Sequence, residues 1–353
     1  MRKKLIKCNN CIFKGWDCKN CYILDETSYS DKEVFFPSIV ITIVLTRQCN
    51  LRCNYCGINF TDNSITQETI DLFLKKLLIK RKKINKIKFE FFGGEPLLEL
   101  EKIKYIVNKT KKYDIEYSIV TNGFLLNKNT INFLNDNNFE VVFSVAIHTN
   151  KILDEKMKLL KNSNLKNFII NFIIEPGKEL LMFNLFIKLI KIGFYKITIL
   201  PVYYTKKWSY INFKNLDLLL NKISIFYNHI NFLKKNILEL FYIRTNKEVE
   251  FNIKKNDIEL FLDYDGKIYG DYDTELRLLK DYVGKNVFNI DEIFLGDLNN
   301  NDFSLIDIII LRKKINTVYF INKISNYYKL DDNLQKLGKI IYNNNVNIKN
   351  ADK

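Results

Sequence analysis

From residue 39 the chain alternates between two hydrophobic periods, and this alternation limits its fold more than anything else in it. Ile39-Val40-Ile41-Thr42-Ile43-Val44-Leu45 is a continuous β-branched run, the pattern of a strand buried on both faces of a parallel sheet. A helical period follows at about 66–80, with Ile70, Leu72, Phe73, Leu77 and Leu78 on one side. Strand patterns then recur at about 86–92, 115–121, 140–146, 168–174 and 196–202. Helical patterns recur at about 99–112, 128–137, 151–162, 180–192 and 213–233. Strands and helices in strict alternation predict a parallel sheet covered by helices. Six such units fall short of the eight of a closed barrel, so the fold expected is α/β, a partial (β/α)6 TIM-like barrel. Catalytic residues of such folds gather at the carboxyl ends of the strands.

Three regions are expected: a Cys-rich leader over 1–37, the barrel over 38–235, and a smaller α+β region over 236–353. In the last, Phe261 to Tyr269 reads as a hairpin about Asp265-Gly266. The end from Asn343 is polar. With 47% hydrophobic residues, 12 Gly and 4 Pro, the 353-residue chain has a real core and is not of low complexity.

The net charge of +15 has two readings. Lysines spread over solvated helix faces account for it without a ligand. An acidic partner, a nucleic acid or an acidic peptide, would also be drawn to it. The densest run, Lys75-Lys76 to Lys80-Arg81-Lys82-Lys83, ends an expected helix, where cations complement the helix dipole. No apolar stretch of about 18 residues suggests a membrane span, and no secretory signal is visible.

All seven cysteines lie in the first 56 residues. An odd number in tight clusters makes a poor disulfide framework and a good metal framework in a reducing compartment, with cytoplasm as the default. Three of them stand in Thr46-Arg47-Gln48-Cys49-Asn50-Leu51-Arg52-Cys53-Asn54-Tyr55-Cys56-Gly57, on a loop leaving the first strand. Thiolates are the usual ligands of iron–sulfur cubanes. Three thiolates leave one of four irons open, and an open metal position is where a substrate or cofactor binds. Zinc would want a fourth ligand, which this triplet lacks.

The C-x3-C-x2-C spacing resembles the signature of the radical S-adenosylmethionine (SAM) superfamily. The resemblance implies a [4Fe–4S] cluster on Cys49, Cys53 and Cys56 whose open iron binds SAM. It also implies reductive cleavage of SAM to a 5′-deoxyadenosyl radical that takes a hydrogen atom from substrate. Three further stretches fit, in order, at successive strand ends. Phe92-Gly93-Gly94-Glu95-Pro96 is similar to the family's GGEP motif, so Gly93, Gly94 and Glu95 are expected to bind the methionyl amino group. Thr121-Asn122-Gly123 is similar to the TNG after the third strand, which makes Thr121 and Asn122 cofactor-side candidates. Ser144 matches the serine of a Ser-x-Asp-Gly pattern near SAM, while Ala146 and Ile147 replace its Asp and Gly. Tyr55 stands where the family has an aromatic whose backbone meets adenine, and Asn171 is a candidate contact to the SAM ribose or carboxylate. His148, at a strand end, is a candidate acid or base, against the structural role more usual for a single histidine. His229, on a helix, reads as structural. The resemblance covers roughly 39–205.

The leader reads Cys8-x2-Cys11-x6-Cys18-x2-Cys21, a complete four-thiolate set. It suits a zinc knuckle that folds on its metal and equally an auxiliary Fe–S cluster. Many relatives carry a C-terminal SPASM domain with auxiliary clusters, and Asp263 to Tyr269 looks like its hairpin. Gly270 and Asp271 stand where its cysteine would follow, and no cysteine occurs beyond Cys56. The tail is therefore SPASM-like without the means to hold a cysteine-ligated cluster.

The resemblance implies a peptide or protein substrate, modified by crosslinking, epimerisation or oxidation. It also implies an external electron donor such as flavodoxin or ferredoxin. RNA or nucleotide modification, activation of a glycyl-radical enzyme, and a non-catalytic Fe–S regulatory role are the alternatives.

Overall fold

The computed structural model describes residues 38–78, 84–149, 155–156, 158–160, 163, 165, 167–202, 206, 208–234, 239–242, 258–270 and 294–299. The leader, with Cys8, Cys11, Cys18 and Cys21, lies outside them, as do most of the helix expected at 151–162 and most of the tail.

Six strands fall where the alternation puts them: β1 (Ile39–Thr46), β2 (Ile87–Gly93), β3 (Ile115–Thr121), β4 (Glu140–Val145), β5 (Asn167–Ile174) and β6 (Lys196–Pro201). Between and after them run α1 (Gln67–Leu78), α2 (Leu100–Thr110), α3 (Lys128–Asp136), α4 (Glu179–Ile192) and α5 (Tyr210–Lys234). Helix α5 starts three residues before the hydrophobic period at 213 because Ser209 caps it. The Ser209 hydroxyl accepts from the Asn212 amide at 3.2 Å, and the Asn212 side chain accepts from the Ser209 amide at 3.0 Å, a reciprocal pair that closes a helix N-terminus.

Four further strands complete one ten-stranded sheet: β7 (Glu239–Tyr242), β8 (Ile258–Leu262), β9 (Lys267–Gly270) and β10 (Phe294–Asp297). The order is β10-β9-β8-β1-β2-β3-β4-β5-β6-β7. The run from β8 to β7 is parallel, and β9 and β10 are added antiparallel. The expected hairpin is present as β8 and β9. The difference from the sequence reading is that β8 also pairs in parallel with β1, Ile39 opposite Ile258 and Ile43 opposite Leu262. The parallel set thus has eight strands instead of six. A pairing across more than 200 residues leaves no local trace, and β7, four residues long, is too short to show a period. The sheet stays open, as expected of a partial barrel.

One face of the sheet carries the core. Ile39, Ile41, Ile43 and Leu45 of β1 alternate onto it and join Phe73 and Leu77 of α1, Ile103 and Ile106 of α2, and Phe186 and Leu189 of α4 in one cluster. Phe91, Tyr117 and Phe139 stack within it, with ring centroids 6.5 and 5.3 Å apart along that series. The opposite face mixes polar side chains with apolar ones such as Val44 and Val142. Thr42 donates to Glu90 at 3.3 Å, and Lys88 on β2 reaches past β3 to Glu140 on β4 at 2.6 Å. Burial pushes the Glu90 carboxyl above its ordinary range.

Candidate active site

The cysteine loop leaves the end of β1 and is closed at its base by an antiparallel bridge between Thr46 and Ser64. Two glycines at the end of β2 press against it. The Gly94 amide donates to Thr46 O and the Glu95 amide to Gln48 O, both at 2.8 Å. A Cβ on Gly94 would lie 2.0 Å from Gln48 O, and one on Gly93, whose φ is +135°, 2.2 Å from Thr46 O. Only glycine lets two backbones meet this closely.

Glu95 is wholly buried. One carboxylate oxygen accepts from the Leu97 amide at 3.1 Å and from the Thr121 hydroxyl at 2.7 Å; the other accepts from the Asn122 amide at 2.8 Å. Burial raises its pKa to about 7, against the lowering effect of those three donors. Asn122 continues the connection to the cysteines: its side chain donates to Asn50 Oδ1 at 2.8 Å and lies 3.7 Å from Cys49 Sγ. The GGEP-like and TNG-like stretches therefore meet through Glu95 and touch the cysteine loop through Asn122.

At the other side of the loop, His148 Nε2 lies 3.2 Å from Cys53 Sγ, and its Nδ1 is 3.6 Å from Glu175 Oε1 at the end of β5. The Tyr55 ring centroid is 5.6 Å from that of His148. Tyr55 also hydrogen-bonds Cys53 through its side chain and packs against Ala146, Ile173 and Val202. Ser144 and Asn171 occupy one rung of β4 and β5, on the face opposite the core. Among the described residues neither hydrogen-bonds the cysteine loop. His229 lies on α5, which packs against α4 and not at the strand ends.

Burial pushes up all three thiols, that of Cys53 to about 11. A metal that takes such a thiol must displace its proton. Among the described residues no three His, Cys, Asp or Glu side chains converge as one ion would need. A cubane asks for something else: thiolates spread over separate irons. Three cysteines on one loop fit that demand, and three thiolates for four irons leave a corner open.

The sequence reading missed Arg47, Asn50 and Glu175. Asn50 and Arg47 stand inside the cysteine stretch, where attention falls on the sulfurs. Glu175 follows the last residue of β5, a strand-end position that was the available signal.

Residues 43–175 match the Radical SAM superfamily. A nucleotide dehydratase dependent on S-adenosylmethionine, from Psychrobacter lutiphocae, is 29% identical over 33% of this chain and 43% of its own length. A cysteine-type anaerobic sulfatase-maturating enzyme from Clostridium novyi is 32% identical over 32% of this chain and 33% of its own. The chain thus spans less than half the length of these curated relatives. In the solved structures, anSMEcpe with bound AdoMet and the Cp18Cys peptide superposes with a TM-score of 0.64 at 17% identity, over 90% of this chain and all of that one. Residues 43–175, which hold the cysteine loop, the GGEP-like and TNG-like stretches and Glu175, are thus the part of the chain that is similar to the Radical SAM superfamily.

Proposed function

We propose that this chain is a radical SAM enzyme that modifies a peptide or protein. The observation that carries the chemistry is the placement of Cys49, Cys53 and Cys56 on a loop held between the ends of β2, β3 and β4 by Glu95, Asn122 and His148. A [4Fe–4S] cluster held by Cys49, Cys53 and Cys56 would, together with SAM, supply a 5′-deoxyadenosyl radical for hydrogen abstraction from the substrate.

The chain's own groups do the rest. Gly93 and Gly94 bring backbone to the loop without side-chain bulk, beside the place where the SAM amino group would sit. Glu95 holds Thr121 and Asn122 in line. Tyr55, Ala146, Ile173 and Val202 make an apolar wall beside the sulfurs, which keeps water from a reactive intermediate. Ser144 and Asn171 offer polar contacts on the open face. The leader cysteines Cys8, Cys11, Cys18 and Cys21 would hold zinc or an auxiliary cluster. The reductant is an external flavodoxin or ferredoxin in a reducing cytoplasm. Among the described residues no helix is long and apolar enough to cross a membrane.

A peptide substrate is supported by the sulfatase-maturating relative and by the peptide-bound fold neighbour. A nucleotide substrate is the second reading, favoured by the nucleotide dehydratase match. Anaerobic incubation with SAM and dithionite separates the two. Formation of 5′-deoxyadenosine is followed with peptides from the neighbouring open reading frames and with the four nucleoside triphosphates. Stimulation by a peptide, with a mass change in it, supports the first reading. Stimulation by a nucleotide alone overturns it.

A further inference from the structure

The β8–β9 turn reaches the cysteine loop through one buried residue. Arg47 stands two residues before Cys49, and its guanidinium Nη2 lies 2.9 Å from Asp263 Oδ2, the first residue after β8. Asp263 is wholly buried, and Arg47 is 8% exposed. The same guanidinium carbon lies 4.9 Å from the centroid of the Tyr264 ring, within cation–π range. The Tyr264 hydroxyl accepts from Asn63 Nδ2 at 3.2 Å, and Asn63 O accepts from the Arg47 amide at 3.0 Å. Arg47, Asp263, Tyr264 and Asn63 thus form a closed ring of contacts around the base of the loop. The turn is itself fixed from outside, since Gly266 O accepts from the Leu298 amide at 3.0 Å.

Stability does not explain this arrangement. Desolvating two charges cancels most of what their attraction returns, and well-packed apolar residues often do as well. Arg47 Nε is also buried without a hydrogen-bond partner, a cost that a pair present only for stability would avoid. What the pair does supply is a fixed distance and direction between the loop and the sheet edge formed by β8 and β9.

We propose that Arg47 is a positioning residue, through which the β8–β9 turn acts as a strut that holds the cysteine loop in place for its cofactor. The hairpin, which resembles that of SPASM domains but has no cysteine to hold a cluster, thereby keeps a task at the main site. The strut serves the cluster of the proposed function, but its effect on the loop is present without any cluster.

The test uses that independence. Full-length, metal-free protein is pulsed with iodoacetamide at fixed pH, and the labelling of Cys49, Cys53 and Cys56 is read by peptide mass spectrometry. The leader cysteines serve as the internal reference. Arg47→Met and Tyr264→Leu should each speed labelling of the loop by about tenfold relative to the leader, because the loop opens locally. Arg47→Lys, which keeps the charge, should recover part of the protection. Tyr264→Leu leaves no buried charge unpaired, so it decides the matter if Arg47→Met does not fold, as read by circular dichroism. In reconstituted protein, Tyr264→Leu should also change the electron paramagnetic resonance signal of the reduced, SAM-bound cluster. Loop labelling at the wild-type rate in folded Tyr264→Leu overturns the strut. A wild type that takes up no iron overturns the proposed function and leaves the labelling result to judge the strut alone.

Discussion

The Glu95 carboxylate at the end of β2 accepts a 2.7 Å hydrogen bond from the Thr121 hydroxyl at the end of β3, with both side chains buried. This contact joins two motifs that are 26 residues apart in the chain. It also sets Asn122, the next residue, against Cys49. Thr121→Val keeps the shape and removes the donor. A buried acceptor that loses a partner costs about 1–3 kcal/mol, and that loss should appear in a urea unfolding curve. Thr121→Ser should restore most of it.

Glu95 also predicts a pH dependence. Burial raises its pKa from 4.5 to about 7, so the folded chain binds more protons than the unfolded one between those values. Its contribution to stability is therefore most favourable below about pH 4.5, falls as pH rises towards 7, and is constant above. Glu95→Gln cannot titrate. The stability difference between wild type and Glu95→Gln should shift against the wild type by about 3 kcal/mol across that window. Urea unfolding of metal-free protein at several pH values measures it, and a difference independent of pH contradicts the account.

Gly94→Ala puts a methyl group where the nearest atom, Gln48 O, is 2.0 Å away. The loop must move, at a cost of about 1–3 kcal/mol for forced overpacking, and iron uptake should fall with it. At Gly177, whose φ is +87°, an added Cβ meets nothing within 4 Å, so Gly177→Ala strains only its own backbone, away from the cysteine loop. It should leave iron uptake unchanged, which separates the close approach at Gly94 from glycine substitution in general.

Much of this architecture can be read from the chain. The β-branched run at 39–45 and the five strand patterns after it are local signals, and the helix-covered core follows from them. The cysteine spacing and the GGEP-like and TNG-like stretches sit at strand ends, so their convergence follows once the strands are parallel. What is not legible depends on distance along the chain. Nothing near Ile258 says that it pairs with Ile39, and nothing near Asp263 says that it faces Arg47. Ser144 and Asn171 show the reverse case. Their shared rung follows from the strand register, but register alone does not bring either to the cysteine loop. His148, a candidate acid or base from its strand-end position, lies against Cys53, a neighbour that only the folded β4 end supplies.

The central claim is that Cys49, Cys53 and Cys56 hold a cluster that cleaves SAM. The direct measurement is 5′-deoxyadenosine formed by anaerobically reconstituted, dithionite-reduced protein, compared with a Cys49→Ala/Cys53→Ala/Cys56→Ala variant carried through the same procedure. The account predicts 5′-deoxyadenosine from the wild type and none from the variant, with a loss of about four irons per chain. Equal product from both, or an undiminished iron content in the variant, would contradict it.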